Sequence, residues 1–429
     1  MSQILFLSRW FPYPPSNGSK LRIFNLLRGL GEAGHSVRLL SFVEPDYQPT
    51  GLCAGPGQEL WRSEGVLAGL RPYCQSVWAT PWRQFAPDSR RARLGFFSAT
   101  PRSVRDTWSA EMAQRIGQEL AAHRPDLIIA SQIDTAAYVP ANSGVPALFE
   151  EVELGLMVEP YAAAATWRQR LRHGLTWAKY RRYLASLLGR FSACTVVSQH
   201  EQRLLAAAAP GFPPAEIIPN CLYLPDYPPS PRNNAPLHPP SPIYQSTLPQ
   251  STTLIFTGAF TYHVNYEGAR WFVEQVLPLV QAQVSDVRLT ITGNHADRPF
   301  PQVAGVTRTG FVDDVRPLLA GAAVCIVPIW QGGGTRLKIL EAMALGTPVV
   351  TTSKGAEGLD AQPDVHLLIA DEPAAFANAV VRLLADASLR QRLAEQARTL
   401  VEQHYSWPLV MPRFLQLVQR LAESPIEPR

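Results

Sequence analysis

A strand that runs into three glycines and out into a helix restricts this chain more than any other feature. Ala323 to Ile329 is an apolar run suited to a strand buried on both faces, and Gln331 to Pro348 (QGGGTRLKILEAMALGTP) follows it. A buried strand, a tight turn and a helix in that order belong to a parallel α/β sheet. The glycines leave backbone N–H groups uncovered, so an anion can approach closely, and the helix turns its positive end towards it. Arg336 and Lys338 add two cations, and Glu341 lies about one turn further on. A site that takes a polyanion first and a polyol second suits a sugar nucleotide. Packing alone explains glycines at such a junction, but it does not explain Arg, Lys and Glu at these offsets.

The same alternation recurs on both sides of a proline-rich stretch. In the first half, Ile4 to Leu7 reads as a strand, followed by a loop carrying Gly18, a helix from about Lys20 to Ala33, and a strand from Val37 to Phe42. Pro125 to Ala130 is another buried strand, with Ser131 and Gln132 at its end. Pro146 to Phe149 delivers Glu150, Glu151 and Glu153, which either bind acceptor hydroxyls or cap and solvate a helix. In the second half, Leu254 to Gly258 and Val287 to Thr292 read as strands, and Gly268 to Gln281 as a helix. Between the halves, Tyr223 to Thr252 contains nine prolines and reads as an extended, stiff linker. The expected organisation is a domain over 1–222, a linker over 223–252, a second domain over 253–407, and a closing helical segment over 408–429.

Composition narrows the class. At 429 residues two domains are expected. A net charge of +4 is too mild to argue for nucleic acid as a partner. Cys53, Cys74, Cys194, Cys221 and Cys325 are scattered and never in Cys-x-x-Cys spacing, which suits a reducing cytosol. No targeting segment and no apolar stretch of roughly 20 residues is visible, so a cytoplasmic protein is expected, free or peripheral at the inner membrane face. Two basic stretches interleaved with aromatics, Arg83 to Arg105 and Trp167 to Arg190, are either solvated helices or surfaces for anionic lipid. Asp313 and Asp314 are adjacent rather than spaced as Asp-x-Asp, and no other cluster has metal-ligand spacing, so no metal is expected.

Leu340 to Val350 (LEAMALGTPVV) resembles the donor-site motif Leu-Glu-Ala-Met-Ala-x-Gly-x-Pro-Val-Val of the GT-B retaining glycosyltransferases of family 4. The resemblance implies two Rossmann-like, doubly wound domains facing across a cleft. It implies a UDP- or GDP-linked sugar held mainly on the second domain, and a glycan or lipid-linked acceptor on the first. Glu341 would hold the ribose hydroxyls, and Gly18 and Gly258 would face the donor. Gly332, Gly333, Gly334 and Thr335 would contact diphosphate and sugar. Many relatives place a basic pair after the glycine matching Gly258; here Ala259 and Phe260 follow, so Arg336 and Lys338 are expected to be the catalytic cations. The acceptor's own hydroxyl is the nucleophile in that family, and neither cofactor nor metal is implied. One departure stands out, because the family's sugar-contacting Glu falls on Gly333 here. It motivates an alternative, a non-catalytic subunit that binds sugar nucleotides. A sugar-nucleotide epimerase shares the architecture, but would need acid and base residues that the sequence does not nominate.

Overall fold

The computed structural model describes residues 1–44, 63–162, 164–229, 250–295 and 298–423. Cys53 and most of the expected linker, residues 230–249, lie outside the described residues. The chain forms two compact units, one of Met1–Pro219 with Met411–Arg429, the other of Asn220–Val410.

The first unit is built on seven strands: β1 (Gln3–Ser8), β2 (Ser36–Val43), β3 (Ser76–Pro81), β4 (Leu127–Ser131), β5 (Ala147–Glu150), β6 (Ala193–Val196) and β7 (Glu216–Ile217). Their order is β3-β2-β1-β4-β5-β6-β7, and every pairing is parallel. All of β4 and all but the first residue of β1 are buried, which is why they read as unbroken apolar runs instead of alternating. The helix Gly18–Glu32 starts after Asn17, whose side chain accepts from the Lys20 N–H at 3.0 Å. Near its end Gly29 makes room for Met411, since a Cβ there would stand 2.3 Å from Met411 Sδ. The closing helix, Trp407–Glu423, is thereby seated on the first unit from Met411 onward.

The second unit repeats the plan with six parallel strands: β8 (Gln250–Thr257), β9 (Arg288–Thr292), β10 (Val306–Gly310), β11 (Ala322–Val327), β12 (Val349–Thr351) and β13 (Leu368–Ile369). The order is β10-β9-β8-β11-β12-β13, so the winding direction reverses between β8 and β11. That reversal opens a crevice at the strands' C-terminal ends, where open α/β sheets bind ligands. Both units are doubly wound α/β, as the alternation of strands and helices predicts.

Two expectations are corrected here. The single helix expected over Gly268 to Gln281 starts earlier, as His263–Trp271, widens into a π turn over Phe272–Val276, and resumes as Leu277–Gln281. Pro278 has no N–H for the ordinary ladder, and the wider turn sits just ahead of it. The expected linker start is also structured: Leu222 pairs with Ser406, and Leu224–Asp226 forms a short 3-10 turn. Among the described residues no helix is long and apolar enough to cross a membrane.

Candidate functional site

The loops after β8 and β11 flank the reversal point of the second unit. The first needs glycine at its corner. Gly258 has φ 150°, and a Cβ there would stand 2.7 Å from the Asn265 side chain and 2.8 Å from Lys338 Nζ. Gly293, after β9, approaches so closely that its Cβ would stand 2.7 Å from the Gly258 carbonyl. In the second loop Gly332 and Gly334 have φ 94° and 77°, conformations that favour glycine. The helix Leu337–Ala344 then begins at Arg336, whose side chain gives it no cap. Of its first-turn N–H groups, that of Ile339 donates to the Arg336 carbonyl at 2.9 Å.

Lys338 projects from this first turn back under Gly258. Its Nζ donates to the Thr257 carbonyl at 2.7 Å and to Asn265 Oδ1 at 2.8 Å, and lies 4.8 Å from the centre of the Phe256 ring. Both acceptors are neutral, and among the described residues no carboxylate forms an ion pair with it. Burial pushes its pKa down from 10.5 to about 7, with Arg336 adding to the effect and Glu341 opposing it. The amine, about half protonated at neutral pH, thus sits without a carboxylate partner, at the place where the helix dipole already favours an anion.

Arg336 is engaged by the glycine loop itself. Its guanidinium donates to the carbonyls of Gly333 at 2.7 Å, Gln331 at 3.1 Å and Gly332. It clamps the glycine loop from inside, and its charge reaches the crevice through space. Thr335, at the end of that loop, is held by Asn220, whose Nδ2 donates to the Thr335 carbonyl at 3.0 Å. Glu341 accepts from the Tyr227 hydroxyl at 2.9 Å. Burial raises its pKa from 4.5 to about 6, while the Tyr227 hydrogen bond and Lys338 act against that rise. Arg316 bonds both oxygens of Asp314 (2.8 and 2.9 Å) and the Asp226 carbonyl (2.7 Å), which fixes the chain beside Tyr227.

The second unit therefore brings together Gly258, Gly332, Gly333, Gly334, Thr335, Arg336, Lys338 and Glu341. Gly18 belongs to the other unit, as the exposed first residue of the Gly18–Glu32 helix. Sequence reasoning missed three supports. Asn220 had a faint signal in its Pro-Asn turn, Asn265 had none beyond lying in the loop, and Tyr227 sits where a linker was expected.

In the first unit the ends of β4 and β5 carry a polar cluster. Arg22 Nε donates to Glu150 Oε1 and Ser131 Oγ to Glu150 Oε2, both at 2.7 Å. Glu150 is thus engaged internally. Gln132 and Glu151 both have left-handed backbone (φ 67° and 58°), and Gln132 Nε2 donates to Glu151 Oε2 at 2.9 Å. Burial raises the Glu151 carboxyl to about 8, against the pull of Arg22.

The family model described as "Glycosyl transferases group 1" matches residues 251–386, and "Glycosyl transferase 4-like domain" matches 17–221. Among curated relatives, a phosphatidyl-myo-inositol mannosyltransferase of Mycobacterium leprae is 32% identical over 162 residues, 34% of this chain and 42% of that one. The chain thus spans about two-fifths of the length of the curated relatives it matches first. Among solved structures, sucrose-phosphate synthase from Thermosynechococcus elongatus superposes with a TM-score of 0.65 at 19% identity, covering 98% of this chain and 99% of that one. Anabaena HepE, solved in complex with UDP and glucose, gives 0.60 at 16% identity, covering 98% and 100%. At these identities the structural likeness speaks for the GT-B fold.

Proposed function

Because this chain belongs to the group 1 glycosyltransferases of GT-B fold, we propose that it moves a sugar from a UDP- or GDP-linked donor to a hydroxyl of a glycan or lipid-linked acceptor. The product serves cell-surface polysaccharide or glycolipid assembly, and the anomeric configuration is retained. The observation that carries the donor half is Lys338, an ammonium held only by Thr257 O and Asn265 Oδ1, at the start of a helix, in the crevice where the sheet reverses. A diphosphate there would supply the missing counter-charge and gain charge-assisted hydrogen bonds. The UDP and glucose bound in the HepE complex support the same donor chemistry.

In this reading Glu341 binds the ribose hydroxyls, oriented by Tyr227. The glycine loop offers its amides from Gly332 to Thr335 to diphosphate and sugar, with Arg336 keeping its shape. As the glycosidic bond breaks, negative charge grows on the leaving diphosphate, and Lys338 with the charge of Arg336 offsets it. The departing phosphate accepts the proton of the attacking hydroxyl, so catalysis is positioning plus charge stabilisation and requires no metal. The acceptor half is read as falling to the first unit, with Gln132 and Glu151 as its candidate contacts. The reading of the chain as a non-catalytic binding subunit keeps its one motive, Gly333 at the position of the family's sugar-contacting Glu.

Thermal-shift binding tests the site with UDP, GDP, ADP and CMP on the wild type and on Glu341→Ala and Lys338→Met. A rise with one nucleoside diphosphate, lost in both variants, is expected. Binding that survives in both would remove the site assignment. Binding without product from any acceptor extract would favour the non-catalytic reading.

A further inference from the structure

The helix Trp167–Leu188 is only half a core element. It buries Tyr180, Leu184, Leu187 and Leu188, all in its second half, and nothing from Trp167 to Lys179. Yet that first half, against which Tyr161 of the helix Gly155–Ala162 packs at Gly174, is not polar. Trp167, Leu171 and Leu175 recur every fourth residue and are 70%, 57% and 65% exposed. At 3.6 residues per turn they form one stripe. Arg168 and Arg172 lie about 100° to one side of Trp167 and Leu171, and Arg170 lies about 100° to the other side of Leu171. From Trp167 to Arg190 there are seven lysines and arginines and no acidic residue.

A second apolar tip is tied to this helix. Lys179 Nζ donates to the carbonyl of Gly95, which starts the short turn Gly95–Phe97. Phe96 and Phe97 are 65% and 93% exposed. Arg102 lies 4.0 Å over the Phe96 ring, and burial, with Arg102 and Arg105 adding to it, lowers the Lys179 pKa. Isolated exposed apolar residues are ordinary, but aromatic and leucine side chains on two joined elements, rimmed by arginine and free of carboxylates on the longer one, call for a partner.

We propose that this face of the first unit docks on an anionic lipid bilayer. Tryptophan, leucine and phenylalanine would enter the headgroup boundary while the arginines pair with lipid phosphates. Charge complementarity commits the surface to that occupant: Lys179 and Arg190 are spent on backbone carbonyls, but a protein partner for the remaining arginines and the apolar stripe would itself have to be strongly acidic. The inference goes beyond the transfer reaction and does not depend on the donor site. It implies that the acceptor is met at a membrane face.

Flotation of the full chain with phosphatidylcholine vesicles, with and without phosphatidylglycerol, tests it. Binding is expected only to the anionic vesicles, and raised salt should release the protein. Arg168→Gln with Arg172→Gln should weaken partitioning by roughly fivefold per arginine. Trp167→Ser with Leu171→Ser should weaken it by about tenfold or more. Both variants change exposed positions, so they should keep the wild-type circular dichroism spectrum and nucleotide binding. Equal binding to both vesicle types, wild-type partitioning by the variants, or no binding at all would overturn the proposal. So would a dimer in solution that Trp167→Ser with Leu171→Ser dissolves, since it would assign the face to a second copy.

Discussion

Consider what a diphosphate would do to Lys338. In the free protein its ammonium faces only the Thr257 carbonyl and Asn265 Oδ1, and its pKa stands at about 7. At pH 8 an amine of that pKa is roughly one-tenth protonated. A bound diphosphate beside Nζ restores the charged form, so Lys338 should take up about 0.9 proton per site on binding at pH 8, and only about 0.1 at pH 6. By the same linkage Lys338 leaves the affinity for a nucleoside diphosphate unchanged below pH 7, where Glu341 at about 6 sets the acid limit. Above pH 7, affinity weakens about tenfold per pH unit until the pKa of the bound state is reached. Isothermal titration at pH 8 in buffers of differing ionisation enthalpy reads the uptake directly, because Glu341 at about 6 and the nucleotide phosphates are then already ionised. Any binding left in Lys338→Met should show neither uptake nor pH slope. Nucleotide binding at pH 8 with no proton uptake by the wild type would refute the idea that this amine meets the anion.

The remaining expectations address neighbouring parts. Without ligand, Lys338 keeps its proton up to about pH 7 when folded and up to 10.5 when unfolded, so stability should rise with pH across that window; wild-type melting temperature should climb between those limits relative to Lys338→Met. Tyr227→Phe removes a hydrogen bond that favours the Glu341 carboxylate, so nucleotide binding should begin to fail at a higher pH on the acid side than in the wild type. Gly258→Ala forces Asn265 and Lys338 away at φ 150°, and nucleotide binding should fall with a stability loss of about 1–3 kcal/mol, seen by urea titration. Gly29→Val should cost a similar ~1–3 kcal/mol by colliding with Met411, and Met411→Ala in the same chain should recover part of it.

Local chemistry was legible where local chemistry decides. The runs Ile4 to Leu7 and Ala323 to Ile329 announce buried parallel strands because both of their faces are covered. The glycine triplet announces a close approach, which Gly332 and Gly334 meet with positive φ. What sequence spacing could not show is long-range pairing. Tyr227 reaches Glu341 and Asn220 reaches Thr335 across more than a hundred residues, and proline density around Tyr227 pointed to open chain instead. Arg336 illustrates a different blind spot. Its charge was evident, but carbonyls turned inward by the glycine loop claim its guanidinium, and the direction of backbone carbonyls is not encoded in spacing.

The seat of Met411 on Gly29 has a consequence for how the protein is made. Gly29 leaves the ribosome long before Met411, which appears only after the whole of Asn220–Val410 has been synthesised. The first unit therefore waits with an open groove beside its first helix while the second unit is built. Nascent chains stalled before Met411 should hold that unit in a form that proteases or chaperones still recognise, and release of the closing helix should be the step that ends their access.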